Sequence, residues 1–188
     1  MNPRTLLLVV CALWVASEVA LGVAKRSRSG ESSRKDRASL ILLWIGITAS
    51  VYFAIALQRH RATEMPGGIA TFYAGIAILL LGVVLRWIAI ITLWRYFTVD
   101  VAIRHDHRII SHGIYSIVRH PSYSGAVLSF AGFGIALRNW ASLVILTLGA
   151  LFAFSYRIAI EERALVEAFG EEYRAYAKKT KRLIPGIY

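Results

Sequence analysis

The sequence predicts an all-α protein, a multi-pass bundle of transmembrane helices. Of its 188 residues, 57% are hydrophobic and only 18% are charged, and the apolar residues occur in long runs. Crossing a hydrocarbon core of about 30 Å takes about 20 residues of helix, because every backbone amide must be satisfied within the segment. The bilayer is therefore the expected solvent.

Five apolar runs are predicted to span the membrane, and they comprise residues 6–23, 40–57, 69–93, 123–137 and 140–156. The first run continues as far as Val23 and then meets a basic loop, which favours a retained membrane helix over a cleavable signal peptide. Only Arg138 and Asn139 separate the last two runs, so these form a short antiparallel hairpin.

The basic residues predict the orientation of these spans. Seventeen of the 22 Lys and Arg residues fall on one side of the membrane if the loop 25–37 is cytoplasmic. By the positive-inside rule, the N-terminus is then outside and the C-terminus is cytoplasmic. The net charge of +11 does not indicate nucleic acid, since the basic residues lie between apolar runs, and membrane lipid headgroups are the expected partners.

Breaker residues set the boundaries in the C-terminal half. Gly113 permits a tight turn, and Pro121 disfavours helix at His120, so a structured linker leads into the fourth span. The fifth span continues as helix to a C-cap at Gly170, and residues 171–179 form a short cytoplasmic helix. We expect one membrane domain over residues 1–188, with scaffold spans in 1–94 and the chemistry in 95–188.

Two charged residues lie within apolar runs. An ionised side chain costs from about 2.5 kcal/mol upward at the centre of a membrane, so Glu18 and Arg86 each need a partner or a route to water. They could pair with one another, or Arg86 could line a site. In the fourth span, Gly125, Ser129, Gly132 and Ala136 form a stripe of small residues that another helix or a ligand could approach closely.

Histidines and acidic residues concentrate between Asp100 and His120, which raises the possibility of a metal site. The histidines lack the i, i+4 spacing of a helical zinc motif and no cysteine lies nearby, so no metal is expected. Tyr115, His120 and Tyr123 could simply form an interfacial aromatic belt. Arg157 and Glu161 share one helix face, which alone would indicate only an exposed ion pair.

Several motifs nevertheless follow one another in a set order. Gly113-x-Tyr115 precedes Arg119-His-Pro-Ser-Tyr123-x-Gly125, and the hairpin is followed by Arg157-x3-Glu161-Glu162-x2-Leu165, Phe169-Gly-Glu-Glu-Tyr173-x2-Tyr176 and Ile184-Pro185. In order, spacing and residue type, residues 82–188 resemble the isoprenylcysteine carboxyl methyltransferase family.

The resemblance implies an S-adenosylmethionine-dependent enzyme that methylates the carboxylate of a lipophilic, isoprenylcysteine-like substrate entering from the bilayer. Arg157 matches the arginine that faces the acceptor carboxylate, so Arg157 and Glu161 are the expected catalytic residues. The implied cofactor-binding residues are His107, Arg108, Ile109, Ile110, Tyr115, His120, Pro121, Ser122, Tyr123 and Glu161.

Three alternatives stay open. Phospholipid N-methyltransferases share the cofactor and differ in the acceptor. NADPH-dependent sterol reductases share an Arg-His-Pro-x-Tyr element and an ending like Leu-Ile-Pro-Gly-Ile-Tyr, but they generally have more spans. A small transporter subunit or membrane assembly factor without chemistry would use Glu18 and Arg86 as its functional charges.

Overall fold

The computed structural model describes residues 2–24, 34–97 and 108–188, and these ranges contain helices but no named strand. The six α-helices are α1 Pro3–Ala24, α2 Arg34–Leu57, α3 Gly68–Leu93, α4 Pro121–Ala136, α5 Trp140–Phe169 and α6 Glu171–Lys179. Short 3-10 turns lie at Arg61–Thr63, Trp94–Tyr96 and Gly113–Ser116. The prediction of an all-α membrane bundle is confirmed.

The number of complete spans is lower than the five predicted. Within the described ranges, four helices are long and apolar enough to cross a membrane: α1, residues Ala38–Leu57 of α2, α3 and α5. The fourth predicted span is α4, whose 16 residues rise about 24 Å, less than the hydrocarbon thickness. Many apolar side chains face outward, such as Phe152, which is 81% exposed, as expected of a surface that lipid covers.

The α3–α4 interface is built on small residues. A Cβ added to Gly82 would lie 2.5 Å from the backbone nitrogen of Ser129, and one added to Gly125 would lie 2.6 Å from that of Arg86. The two backbones therefore approach closely, and the Ser129 hydroxyl donates to the carbonyl of Leu79 across the interface. The small-residue stripe of α4 is thus a surface for helix packing.

The predicted hairpin between α4 and α5 is confirmed, and Asn139 fixes its turn. The Asn139 side chain caps α5 by accepting from the Ser142 amide at 3.0 Å. Its amide nitrogen donates to the Thr63 hydroxyl at 2.7 Å, which ties the turn to the α2–α3 connection. Nearby, the Ser142 hydroxyl donates to the Ala54 carbonyl of α2.

The two intramembrane charges pair with each other. Both Glu18 oxygens accept from Arg86, at 2.6 Å from Nε and 2.7 Å from Nη2. Arg86 Nη1 also donates to the Ser122 carbonyl at 3.2 Å. The pair therefore joins α1, α3 and the first turn of α4.

The chain tail packs beside the start of α4. The Arg119 amide donates to the Lys181 carbonyl at 2.7 Å, and the His120 amide donates to the Arg182 carbonyl at 3.0 Å. Pro121 occupies the first turn of α4, and His120 is non-helical, as predicted. We call this end of the bundle, where α4 begins and α5 ends, the mouth.

Candidate active site

Three residues implied by the motifs meet at the mouth. The Tyr123 hydroxyl donates to Glu161 Oε2 at 3.0 Å. His120 Nδ1 lies 3.8 Å from the same oxygen, and the His120 ring stacks on the Tyr123 ring with centroids 5.7 Å apart. Because α4 begins at Pro121, His120 and Tyr123 project toward α5 from consecutive parts of one tight turn.

Tyr115 completes one wall of this cluster. It lies in the turn Gly113–Ser116, where Gly113 has φ +60°, and its hydroxyl donates to the Ala89 carbonyl of α3. Burial, and next the Glu161 carboxylate, raise the pKa of Tyr115, so the phenol keeps its proton. The hydroxyl of Tyr176 holds the turn from the other side by donating to the Tyr115 carbonyl at 2.7 Å.

Arg157 is buried one helical turn before Glu161, on the same face of α5. Only 2% of it is exposed, and Nη1 donates to the Ser39 hydroxyl of α2 at 2.6 Å. Arg157 also interacts electrostatically with Tyr123. Tyr123 therefore interacts with both the Glu161 carboxylate and the Arg157 guanidinium.

Ser39 had no signal in the sequence. It lies at the beginning of an apolar run in α2, where a serine is unremarkable, and its contact with Arg157 joins residues 118 positions apart. Only the packing of α2 along α5 makes it part of the site.

Glu162 belongs to one of the sequence motifs, but no role was predicted for it. Its Oε1 accepts from Arg119 Nε at 2.8 Å and lies 3.4 Å from His120 Nε2. Its Oε2 accepts from Arg182 Nε at 3.0 Å. Glu162 therefore holds the start of α4 and the chain tail against α5, and places the His120 ring between two carboxylates.

The other residues implied by the resemblance take different positions. Pro121 is buried in the first turn of α4, and Ser122 contributes its carbonyl to Arg86. Arg108 is exposed and Ile109 and Ile110 are half-buried, with no hydrogen bond to the cluster in the described part of the chain. His107 lies outside the described residues, as do Asp100, His105 and Asp106.

The cluster combines a carboxylate, which attracts cations, with a guanidinium, which attracts anions. The Glu161 carboxylate, with the rings of Tyr123 and His120 beside it, favours an organic cation with hydroxyl or amino groups. The buried Arg157 guanidinium, one helical turn earlier, favours an anion such as a carboxylate. The site can therefore bring a cationic and an anionic reactant together in apolar surroundings.

Comparison with known proteins agrees with this arrangement. The sequence model of the isoprenylcysteine carboxyl methyltransferase family matches residues 75–167, which include all of α4 and most of α3 and α5. Over these 93 of its 188 residues, the chain is similar to the isoprenylcysteine carboxyl methyltransferase family. The matched range contains Tyr115, His120, Tyr123, Arg157 and Glu161.

Individual members of this family give the extent of the similarity. A rice (Oryza sativa subsp. indica) protein named as a probable protein-S-isoprenylcysteine O-methyltransferase is 38% identical over 117 residues, which are 61% of this chain and 61% of that protein. Protein-S-isoprenylcysteine O-methyltransferase B of Arabidopsis thaliana is 36% identical over 115 residues, 60% of this chain and 58% of that protein. The matches thus span about three fifths of the length of these curated family members.

A solved structure extends the similarity to the fold. The eukaryotic intramembrane Ras methyltransferase of this family superposes with a TM-score of 0.58 at 31% identity, and the match covers 80% of this chain and 52% of that one. The structural match therefore covers more of this chain than the family sequence model does.

Proposed function

We propose that this chain transfers a methyl group from S-adenosylmethionine to the carboxylate of a lipophilic, isoprenylcysteine-like acceptor at the membrane. The observation that carries the proposal is that Tyr123 donates to Glu161 at 3.0 Å and also interacts with the buried Arg157. A carboxylate suited to the cationic donor and a guanidinium suited to the anionic acceptor meet at one phenol. The similarity of residues 75–167 to the isoprenylcysteine carboxyl methyltransferase family supports the same reaction.

The residues at the mouth fit the donor. When bound, S-adenosylmethionine supplies an electrophilic methyl group on a positively charged sulfur. Glu161, whose side chain is 31% exposed, can accept hydrogen bonds from hydroxyl or amino groups of such a ligand and offset its charge. The stacked rings of His120 and Tyr123 lie beside that carboxylate and give this side of the site an aromatic wall, which suits a planar base. Tyr115, Pro121, Ser122 and residues 107–110 complete the proposed donor site.

Arg157 is proposed to hold the acceptor. A guanidinium can bind a carboxylate through two parallel hydrogen bonds, which fixes the orientation of the attacking oxygen. Ser39 occupies Nη1 of Arg157 at 2.6 Å and so holds the guanidinium in place. The reaction then depends on orientation more than on proton transfer.

No general base is needed for this step. A C-terminal carboxyl has a pKa of about 3.5 and is already ionised at neutral pH. Attack of a carboxylate on a sulfonium methyl group cancels two charges, so apolar surroundings favour it over water. Phe154, which stacks on Tyr123 at 5.0 Å, provides such surroundings.

The proposed setting is the cytoplasmic face of the membrane, with the acceptor arriving from the bilayer. The positive-inside rule places the mouth on the cytoplasmic side. Exposed apolar residues along α5, such as Leu148 and Phe152, indicate that this helix borders the acyl chains from which an isoprenoid acceptor would arrive.

A methyl-transfer assay tests the proposal directly. The purified full chain in lipid nanodiscs is given S-adenosylmethionine with a labelled methyl group and one of three acceptors: farnesylcysteine, a fatty acid or phosphatidylethanolamine. We expect a base-labile methyl ester on farnesylcysteine. Label on the phosphatidylethanolamine amine, or binding of NADPH with no methyl transfer, would contradict the proposal.

Two variants test separately which residue binds the methyl donor and which binds the acceptor. Glu161→Gln is expected to weaken donor binding about tenfold, because a charge-assisted hydrogen bond is lost. Arg157→Lys is expected to lower kcat/KM for the acceptor about 100-fold with donor binding intact, because the two-point clamp is lost. Glu167→Gln, an exposed change on the same helix, is the control for both.

A further inference from the structure

A cavity of about 290 Å³ lies beside the chain tail, apart from the residues proposed to bind donor and acceptor. Its wall is mainly cationic. It is lined by Arg119, Ala177, Lys178, Lys179, Thr180, Lys181, Arg182, Ile187 and Tyr188.

The positive charge of this cavity is only partly balanced. Arg119 and Arg182 share the single carboxylate of Glu162. Lys178, Lys179 and Lys181 are exposed, and within the described residues none of them has an acidic partner. Three free ammonium groups around one small cavity favour an anion with several acceptor oxygens, such as a phosphate.

The cavity lies beside the start of α4. The carbonyls of Lys181 and Arg182 accept from the amides of Arg119 and His120, which immediately precede α4. The tail is therefore fixed at the end of an apolar helix, where lipid headgroups are expected.

Apolar residues surround this charged wall. Ile187 is 75% exposed and Ile184 is 42% exposed, on the turn that closes the tail. Across the paired segment, Ile117 is 54% exposed. Exposed isoleucines beside lysines are the pattern of a surface that rests among lipid headgroups, with apolar groups toward the acyl chains.

We infer that this cavity binds the phosphate group of an anionic phospholipid from the adjoining leaflet, with Ile184 and Ile187 against the lipid chains. A lipid satisfies both the cationic wall and the apolar residues around it, whereas free phosphate satisfies only the wall. The inference does not depend on the proposed reaction, because the cavity and the Tyr123–Glu161–Arg157 cluster are lined by different residues.

The test is lipid binding by the purified full chain in neutral detergent. Native mass spectrometry would count the molecules retained on titration with phosphatidylglycerol, with phosphatidylcholine and with inorganic phosphate. We expect saturable binding of phosphatidylglycerol, much weaker binding of the other two, and loss of binding in 1 M NaCl through screening.

A matched pair of variants locates the site. Lys178→Gln with Lys181→Gln is expected to weaken phosphatidylglycerol binding about 30-fold, since each basic residue near an anionic membrane contributes about one kcal/mol. Arg59→Gln with Arg61→Gln removes the same charge from exposed positions at the opposite end and is expected to leave binding unchanged.

Three outcomes would overturn the inference. They are equal retention of phosphatidylcholine, binding of inorganic phosphate as tight as that of the lipid, and an equal effect of both double variants. Measuring S-adenosylmethionine binding on the Lys178→Gln/Lys181→Gln protein separates this inference from the proposed function. Loss of donor binding there would assign the cavity to the donor site instead.

Discussion

At the scale of single residues, Glu162 is the group on which the mouth depends most. It is 12% exposed and contacts Arg119, His120 and Arg182, which come from two distant parts of the chain. Without its charge, two guanidinium groups would remain close together with no carboxylate between them.

We therefore expect Glu162→Gln to destabilise the folded protein. Losing a half-buried carboxylate that accepts from two arginines should cost about 2 kcal/mol, or about 6 °C in Tm. Thermal unfolding in detergent would measure it against Glu167→Gln, which removes an exposed charge from the same helix. Equal melting temperatures for the two variants would show that Glu162 does not hold the tail.

Ser39→Ala tests whether α2 takes part in the site. Removal of the hydroxyl leaves Nη1 of the buried Arg157 without this acceptor, so the guanidinium should lose its fixed orientation. In the methyl-transfer assay we expect KM for farnesylcysteine to rise about tenfold, with donor affinity unchanged and recovery in Ser39→Thr.

Ser50→Ala is the matched control, because its hydroxyl bonds only within α2, to the Gly46 carbonyl. An equal effect of Ser39→Ala and Ser50→Ala would contradict a positioning role for Ser39.

The sequence predicted the backbone conformation of single residues, but it did not predict which distant side chains would contact each other. Gly113 and Gly170 adopt positive φ, and Pro121 begins α4, because each residue's own stereochemistry decides these features. The partners of Glu162 and Arg157 depend on how distant segments pack. No spacing rule connects Ser39 with Arg157 across 118 positions.

At the scale of helices, the α3–α4 contact is the tightest constraint on the fold. Its two backbones leave no room for a side chain at Gly82, where a Cβ would lie 2.5 Å from Ser129. Only separation of the helices could make space.

Gly82→Leu is accordingly expected to destabilise the protein by about 3 kcal/mol or more, because the leucine side chain would collide with the backbone of α4 at Ser129. Gly22→Leu is the matched control, since nothing lies within 4 Å of a Cβ added at Gly22 of α1. Chemical unfolding in detergent compares the two. If Gly82→Leu were as stable as the Gly22 variant, the close approach of α3 and α4 would be wrong.

The Glu18–Arg86 pair gives a second test between helices. Its side chains are 23% and 13% exposed, and the pair links α1 with α3. A double-mutant cycle with Glu18→Gln and Arg86→Gln should give a coupling energy of about 2 kcal/mol.

The Glu64–Arg138 pair is the comparison, because its side chains are 52% and 37% exposed. Its coupling should stay below about 1 kcal/mol. Equal coupling in the two cycles would mean that the bidentate intramembrane contact contributes nothing beyond a surface ion pair.

The sequence predicted which helices form and where most of them begin and end. Apolar runs and breakers predicted α6 at residues 171–179 and placed the other helix ends within a few residues. The exception is α2, whose helix begins six residues before its apolar run. The number of spans was predicted less well, because the run 123–137 was counted as a span although its 15 residues, like the 16 of α4, are too short to cross the hydrocarbon core.

At the scale of the whole molecule, the distribution of basic residues predicts which end faces the cytoplasm. We expect Lys179, at the mouth, to be cytoplasmic and Arg61, at the opposite end, to be outside. Single-cysteine variants at these positions, in a Cys11→Ala background, can be treated with a membrane-impermeant maleimide on intact cells. Label should reach position 61 at once and position 179 only after permeabilisation; the reverse pattern would invert the topology.

Asn139 makes the end opposite the mouth stiff. Its fully buried amide joins the α2–α3 connection to the start of α5. Separating these two segments would leave several buried polar groups without hydrogen-bond partners. Ser39 joins the other end of α2 to α5 through Arg157, so buried polar bonds secure this helix pair at both ends. Any separation of α2 from α5 therefore costs less at the mouth, where the Ser39–Arg157 bond links them, than at the end that Asn139 and Ser142 secure.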